Sequence, residues 1–246
     1  LQNVGSILEE DHENGLAHFL EHMAFNGTTH FPGGVMPYLR GKGIFTFNAR
    51  TGINQTVYNI EDVPTADVGL VDTCMFIVKD WCNEILLKEK DIDDERGVII
   101  EEWRSHYDVG RRLQEGSAPV VYNHTKYARR NVIGTVELLK SFPYDVLREF
   151  YHKWYRPDLQ GIVIVGDIDV DTVEAKLKAV FADVQKPVNP AERTYYPVTD
   201  NKEPIVAIGT DKEVDDPSIE IYFKQDATPD SEKNNVGYLA SQYMTS

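Results

Sequence analysis

The chain has 246 residues, enough for one large domain or for one domain and part of a second. At 41% hydrophobic and 11% aromatic it can bury a core, and its 40 Asp+Glu against 25 Lys+Arg leave a formal charge of −15. That balance argues against a nucleic-acid binder, which needs a basic face, and disfavours docking on anionic lipid. No apolar run reaches the roughly 20 residues of a membrane-spanning helix.

In chain order, residues 1–9 read as the end of a strand. Leu16, Phe19, Leu20 and Met23 then recur at helical spacing from Gly15 to Asn26, and the Gly27–Gly34 stretch breaks that helix. A short helix is predicted over 35–40, stopped at Gly41 and Gly43. A hairpin pattern follows, with strands at 44–49 and 55–60 about a turn near Gly52. Thr65 to Leu87 reads as a long amphipathic helix, and Asp91 to Tyr107 as another with Ile92, Ile99 and Trp103 inward. Cys74 and Cys82 sit eight residues apart in the first of these, about 12 Å along its axis, so they read as two buried thiols with no bridge.

Residues 110–131 read as irregular. Helices are predicted over 136–140 and 144–154, a β-branched strand buried on both faces over 161–166, and a helix over 171–181 capped by Asp169 or Asp171. Four prolines in 186–204 suggest a linker, after which strands are expected at 205–209 and 218–224 and a helix near the end. The division expected is one domain over 1–195 and the opening of a second over 196–246.

The chemistry concentrates in His18-Phe19-Leu20-Glu21-His22. Positions i and i+4 share a helix face, so His18 and His22 can offer two imidazoles to one metal. Glu21, at the edge of that face, can reach a water on the metal without ligating. This is the inverted order of the His-Glu-x-x-His helix, with the same parts: two imidazoles for zinc and a carboxylate to take a proton. A solvated helix face is the bland alternative, but the flanking Leu16, Phe19, Leu20 and Met23 imply burial, where unpaired polar groups are costly. A third ligand is expected from the acidic helix. Glu95 and Glu102 lie seven residues apart and point the same way, Glu101 faces roughly 100° away, and His106 is a spare. Spacing leaves Glu95 and Glu102 both open.

His18–His22 followed by Met23-Ala24-Phe25-Asn26-Gly27-Thr28, the run Glu95-Arg96-Gly97-Val98-Ile99-Ile100-Glu101-Glu102, and Tyr151–Asp158 with Ile162–Asp167 resemble the M16 (pitrilysin/insulinase) metallopeptidases across residues 4–185. Within that family the chain resembles the bacterial zinc proteases of the PqqL-like group, as an N-terminal-half piece. The resemblance implies an α+β fold of the LuxS/processing-peptidase-like type: two layers, with a mixed, mostly antiparallel sheet against helices, lacking strands that precede the position of Leu1.

It further implies that His18, His22 and Glu102 bind zinc, that Glu21 is the general base, and that Glu95 supports the site. Phe47, Asn48 and Ala49 match the edge strand that pairs with an extended peptide substrate. The implied activity is zinc-dependent endopeptidase cleavage of peptides or unfolded chains. A second homologous half, or a partner subunit, would enclose the substrate, so residues 1–246 alone are expected to fold and be able to bind zinc but to cleave weakly. The alternative is a non-catalytic binding or assembly subunit, from which the intact His18, Glu21, His22 and Glu102 set distinguishes this chain. Val132, where the family usually has proline, predicts a loop difference without effect on zinc. Similar bacterial proteins are often exported, which makes the periplasm a plausible compartment.

Overall fold

Residues 1–224 and 228–245 are described by a computed structural model of the chain. Helix α1 (Leu16–Asn26) starts after Gly15, which sits in the left-handed region at φ 105°. Glu9, with no exposed surface, reaches the start of this helix and accepts the amide protons of Gly15 at 3.0 Å and Ala17 at 2.8 Å. Its two oxygens satisfy first-turn donors that have no partner within the helix, while burial raises the carboxyl to about 8. Leu16, Ala17, Phe19, Leu20, Met23 and Ala24 are all buried. Burial of such side chains, about 1.5–3 kcal/mol for each large one, is what holds the helix central.

Around α1 pack α2 (Val35–Gly41), the hairpin β1 (Phe47–Thr51) and β2 (Thr56–Ile60), α4 (Glu89–Ser105) and α7 (Tyr144–Trp154). Between the hairpin and α4 lies α3 (Val68–Asn83), capped by Asp67, which accepts the Leu70 amide at 3.0 Å. The α3 residue Trp81 donates its indole N–H to the Ala24 carbonyl at 3.0 Å. Cys74 and Cys82, both on α3, are free thiols, Cys82 buried as expected and Cys74 only half-buried. Helix α4 is pinned by Arg96, which donates to the carbonyls of Leu139 (2.7 Å) and Phe142 (2.8 Å) and lies over the Phe142 ring. Those carbonyls close the end of α6 (Val136–Ser141), so one guanidinium joins two helices.

Three sequence expectations are corrected. Residues 109–121, read as irregular, form α5 (Val109–Val121), capped by Asp108 on the Arg111 amide at 2.9 Å. Gly110, Gly116 and Pro119 hide its periodicity, while the Asp cap was the usable signal. Residues 162–165 are not a buried strand: Val163 and Val165 are 85% and 89% exposed. Pairing stops after Leu1 and Gly161 exchange bonds at 3.0 and 2.9 Å and Gln2 bridges Gln160, because no described segment lies alongside the rest. The same holds for 205–209 and 218–224, which have no strand partners among the described residues, Ile208 and Ile219 being exposed. The fold is α+β, and among the described residues its sheet is the two-stranded antiparallel hairpin.

The remaining helices are α8 (Val170–Val180), capped by Asp169 on the Thr172 amide at 2.8 Å, and α9 (Val236–Thr245). Ion pairs Lys176–Asp72 (2.6 Å) and Lys79–Asp183 (2.8 Å) hold α8 and the residues after it to α3. The stretch read as a linker covers part of the domain, with the Ala191 carbonyl accepting from Arg156 at 2.6 Å.

The entry to α1 is braced from the far side of the chain. Arg130 donates to the Glu9 carbonyl at 3.0 Å and to Asp11 at 2.9 Å. Four residues on, Gly134 presses against Gly15, at φ 79°; a Cβ there would stand 2.5 Å from the Asn14 carbonyl oxygen and 2.8 Å from the Gly15 Cα. Both the torsion and the contact forbid a side chain. Gly134→Ala is expected to cost about 2–4 kcal/mol of stability. Urea unfolding of the pair measures it; an unchanged midpoint would show that this contact does not brace α1.

Candidate active site

Helical spacing puts His18 and His22 one turn apart on α1, their rings in edge contact at 4.7 Å between centroids. Helix α4 crosses α1 and brings up both glutamates. Glu102 faces the outer ring nitrogens: its Oε1 lies 3.6 Å from His18 Nε2 and its Oε2 3.2 Å from His22 Nε2. Glu95, two turns earlier, meets the other side of His22, accepting from Nδ1 at 2.8 Å, while its second oxygen takes Asn26 Nδ2 at 2.6 Å. One seven-residue interval thus separates a carboxylate at Nε2 from a carboxylate at Nδ1. Glu101 points away, exposed and paired with Arg104. His106 stands at the rim, its Nδ1 3.1 Å from the Glu102 carbonyl oxygen.

His18, His22 and Glu102 form a candidate metal cluster, one donor atom from each lying within 4.8 Å of the others. The 3.2 and 3.6 Å separations run to the two different Glu102 oxygens, so either oxygen stands close to one imidazole of the pair. Two nitrogens and one oxygen also leave a fourth position, so the donor set fits zinc in an open site.

The electrostatics suit the same parts. Burial, then the neighbouring His22, push the His18 ring down to about 4, so it is neutral and able to ligate. At His22 burial works against protonation, but the bonds to Glu102 and Glu95 overcome it and raise the ring to about 9 in the metal-free chain. Glu102 is held below the usual carboxylate range first by its bond to His22. For Glu95 burial pushes upward, and the His22 and Asn26 bonds prevail to hold it low. Glu21 goes the other way: burial raises it, opposed by a hydrogen bond from Thr51 Oγ1 to its Oε2 at 2.5 Å.

These groups open on a cavity of about 340 Å³ lined by His18, Glu21 and Glu102, by Ala49–Thr51 of β1, and by Arg111 and Asn131–Ile133. The hairpin register pairs Asn48 with Asn59 and Arg50 with Val57. Flanking bonds from the Glu61 amide to Thr46 and from the Gly52 amide to Gln55 make the even-numbered β1 residues the hydrogen-bonded pairs. Phe47, Ala49 and Thr51 therefore turn their main-chain groups outward, and among the described residues no strand pairs with that edge. Of the three residues expected to meet a peptide, Phe47 and Ala49 offer backbone there. Asn48 has its backbone engaged with β2 and presents an exposed side chain. Sequence reasoning missed Thr51, Asn26, Arg111 and Asn131, whose places depend on contacts across the fold. Thr51 alone carried a signal, lying two residues beyond the expected strand pair.

Glu95→Gln is expected to lower the His22 titration midpoint in the metal-free chain by about one to two pH units, since it removes a carboxylate at Nδ1. Proton–carbon NMR of the imidazole ring measures this; an unmoved midpoint would mean that Glu102 alone sets the His22 charge.

Family models match in two places: the insulinase (peptidase family M16) model over residues 2–127 and the peptidase M16 inactive-domain model over 141–246. The probable zinc protease PqqL of Escherichia coli K12 is 36% identical over 180 residues, covering 72% of this chain and 19% of that protein. The zinc protease PQQL-like of Arabidopsis thaliana is 30% identical over 226 residues, covering 90% of this chain and 24% of its own length. The crystal structure of the first half of the periplasmic protease PqqL from Escherichia coli superposes with a TM-score of 0.76 at 33% identity, covering 81% of this chain and 43% of that one. The chain thus spans about a fifth of the length of the curated relatives it matches. With a family model matching over half its residues, and a relative's solved half sharing its fold, the chain is a member of the insulinase family, peptidase family M16.

Proposed function

We propose that this chain carries the metal-binding, base-bearing part of a zinc endopeptidase that acts on peptides or unfolded chains laid out as strands. The observation that carries the reading is the convergence of His18, His22 and Glu102 beside Glu21, in one cavity at the open edge of β1. When bound by those three residues, zinc supplies an acidified water and a Lewis acid for the scissile carbonyl. The chain's own groups do the rest. Glu21, kept protonatable by burial and oriented by Thr51, takes a proton from the attacking water and returns it to the amide nitrogen as the C–N bond breaks. Glu95 holds the Nδ1 side of His22, leaving Nε2 for the metal. The substrate strand pairs with the backbone of Phe47, Ala49 and Thr51 and meets the Asn48 side chain.

In this reading residues 1–195 hold the site and 196–246 begin the next unit. A second homologous half, in the same chain or a partner subunit, encloses the substrate. The relatives named zinc proteases, and their several-fold greater length, support both points.

Zinc content decides the ligand set. The purified chain is expected to hold about one zinc after reconstitution, to lose it in Glu102→Ala and to keep it in Glu101→Ala. A wild-type chain that takes up no zinc would overturn the proposal. Glu21→Gln is expected to keep the metal and, in the enzyme assembled with its enclosing half, to lower kcat by about 10²–10⁴. Strong chelator-sensitive turnover by residues 1–246 alone would show that no second half is required.

A further inference from the structure

The cavity has a wall that the proposed chemistry does not use. Arg111, in the first turn of α5, lies flat against α4, its guanidinium carbon 5.5 Å from the Trp103 ring centre and 5.8 Å from that of Tyr107. Those rings stack on each other at 4.5 Å and 14°. Its Nε donates to Glu115 at 2.8 Å, and the same Glu115 oxygen accepts from Asn131 Nδ2 at 2.8 Å. Arg111 and Asn131 both line the cavity that holds His18 and Glu21. One carboxylate and two aromatic rings therefore hold a planar cation in a fixed place.

The guanidinium is not fully matched. Its Nη2 is buried and has no hydrogen-bond partner. Neighbouring Arg112 differs, since Asp211 takes its Nε and Nη2 and Glu213 adds a second bond to Nη2. A buried charged donor without an acceptor is unfavourable, and in native proteins it usually has a reason. A second cation, Arg50 of β1, lines the same cavity, so two arginines stand near Glu21 and Glu102 although the chain as a whole carries −15.

We propose that Arg111 is a specificity-determining residue that receives an acidic side chain of the substrate close to the scissile bond. This rests on the peptidase reading and deepens it. The part of the guanidinium that lines the cavity offers a substrate carboxylate a charge-assisted hydrogen bond, while a lysine or arginine at the same substrate position meets a fixed cation. Long-range attraction of basic peptides by the net charge is overruled at contact, because the pairing distance is far shorter than the roughly 8 Å screening length of physiological salt.

The test uses the zinc-loaded enzyme assembled with its enclosing half, carrying Glu21→Gln throughout, so that bound peptide is not consumed. Fluorescence anisotropy is read for labelled ten-residue peptides in which one Glu, Gln or Lys is moved along an otherwise uncharged extended sequence. At one or two positions Glu is expected to bind about tenfold tighter than Lys, with Gln between. Arg111→Gln should abolish that ranking while leaving the Gln peptide's affinity within about twofold, and Arg111→Glu should reverse it. Arg50→Gln should weaken the ranking without removing it. Circular dichroism and zinc content, unchanged in the Arg111 variants, separate lost recognition from lost fold. If all peptides bind the parent chain but Glu and Lys rank equally, Arg111 is only a brace between α4 and α5 and the assignment falls. If no peptide binds at all, the peptidase reading falls with it.

Discussion

Everything near the site follows from one constraint: three ionisable side chains stand on a helix that the core buries on most of its faces. Helix α1 contributes Phe19, Leu20, Met23 and Ala24 to the interior, so it cannot turn its polar residues to bulk water. His18, Glu21 and His22 must then be satisfied by other elements. Glu95 and Glu102 of α4 serve the two imidazoles, and Thr51 at the end of β1 serves Glu21. The hairpin and α4 are thus held where the polar atoms of α1 need them. Glu9 and Arg130 hold the start of α1 in turn, so the position of the site is set by residues on both sides of α1 in the sequence.

This arrangement separates two carboxylates by role through geometry alone. Glu95 and Glu102 share a helix, a face and a neighbour, yet one meets Nδ1 of His22 and the other Nε2. In the proposed metal site the first fixes the ring's tautomer and the second shares the ion with it. Glu21 is the exception among the acids, raised where the others are lowered, because burial outweighs its bond to Thr51. Glu21, raised, and Glu102, held low, line one cavity, with Glu95 behind His22.

Helix α1 and its chemistry were legible in the sequence because helical geometry is local: a 3.6-residue period fixes which side chains share a face. The same argument put Glu95 and Glu102 on one face of α4 but left the choice between them open, since that choice depends on where α1 crosses. Helix α5 escaped notice because Gly110, Gly116 and Pro119 each read as breakers, whereas capping by Asp108 carries the helix through. The run Ile162–Val165 failed for the opposite reason. Its β-branched residues state a preference for extended backbone, and they say nothing about whether a neighbour is there to pair.

Those unpaired stretches affect how the chain behaves at high concentration. Segments 162–165, 205–208 and 219–223 present Val163, Val165, Val206, Ile208, Ile219 and Phe223 to solvent, without strand partners among the described residues. Open edges of this kind invite copies to add to one another, and this chain places little lysine or proline within them to discourage it. Mutual repulsion at −15 is then what keeps the molecules apart. That barrier has the range of the Debye length, about 10 Å at 0.1 M salt and 3 Å at 1 M. Colloidal stability is accordingly governed by ionic strength, with concentrated salt removing the repulsion while leaving the adhesive edges in place.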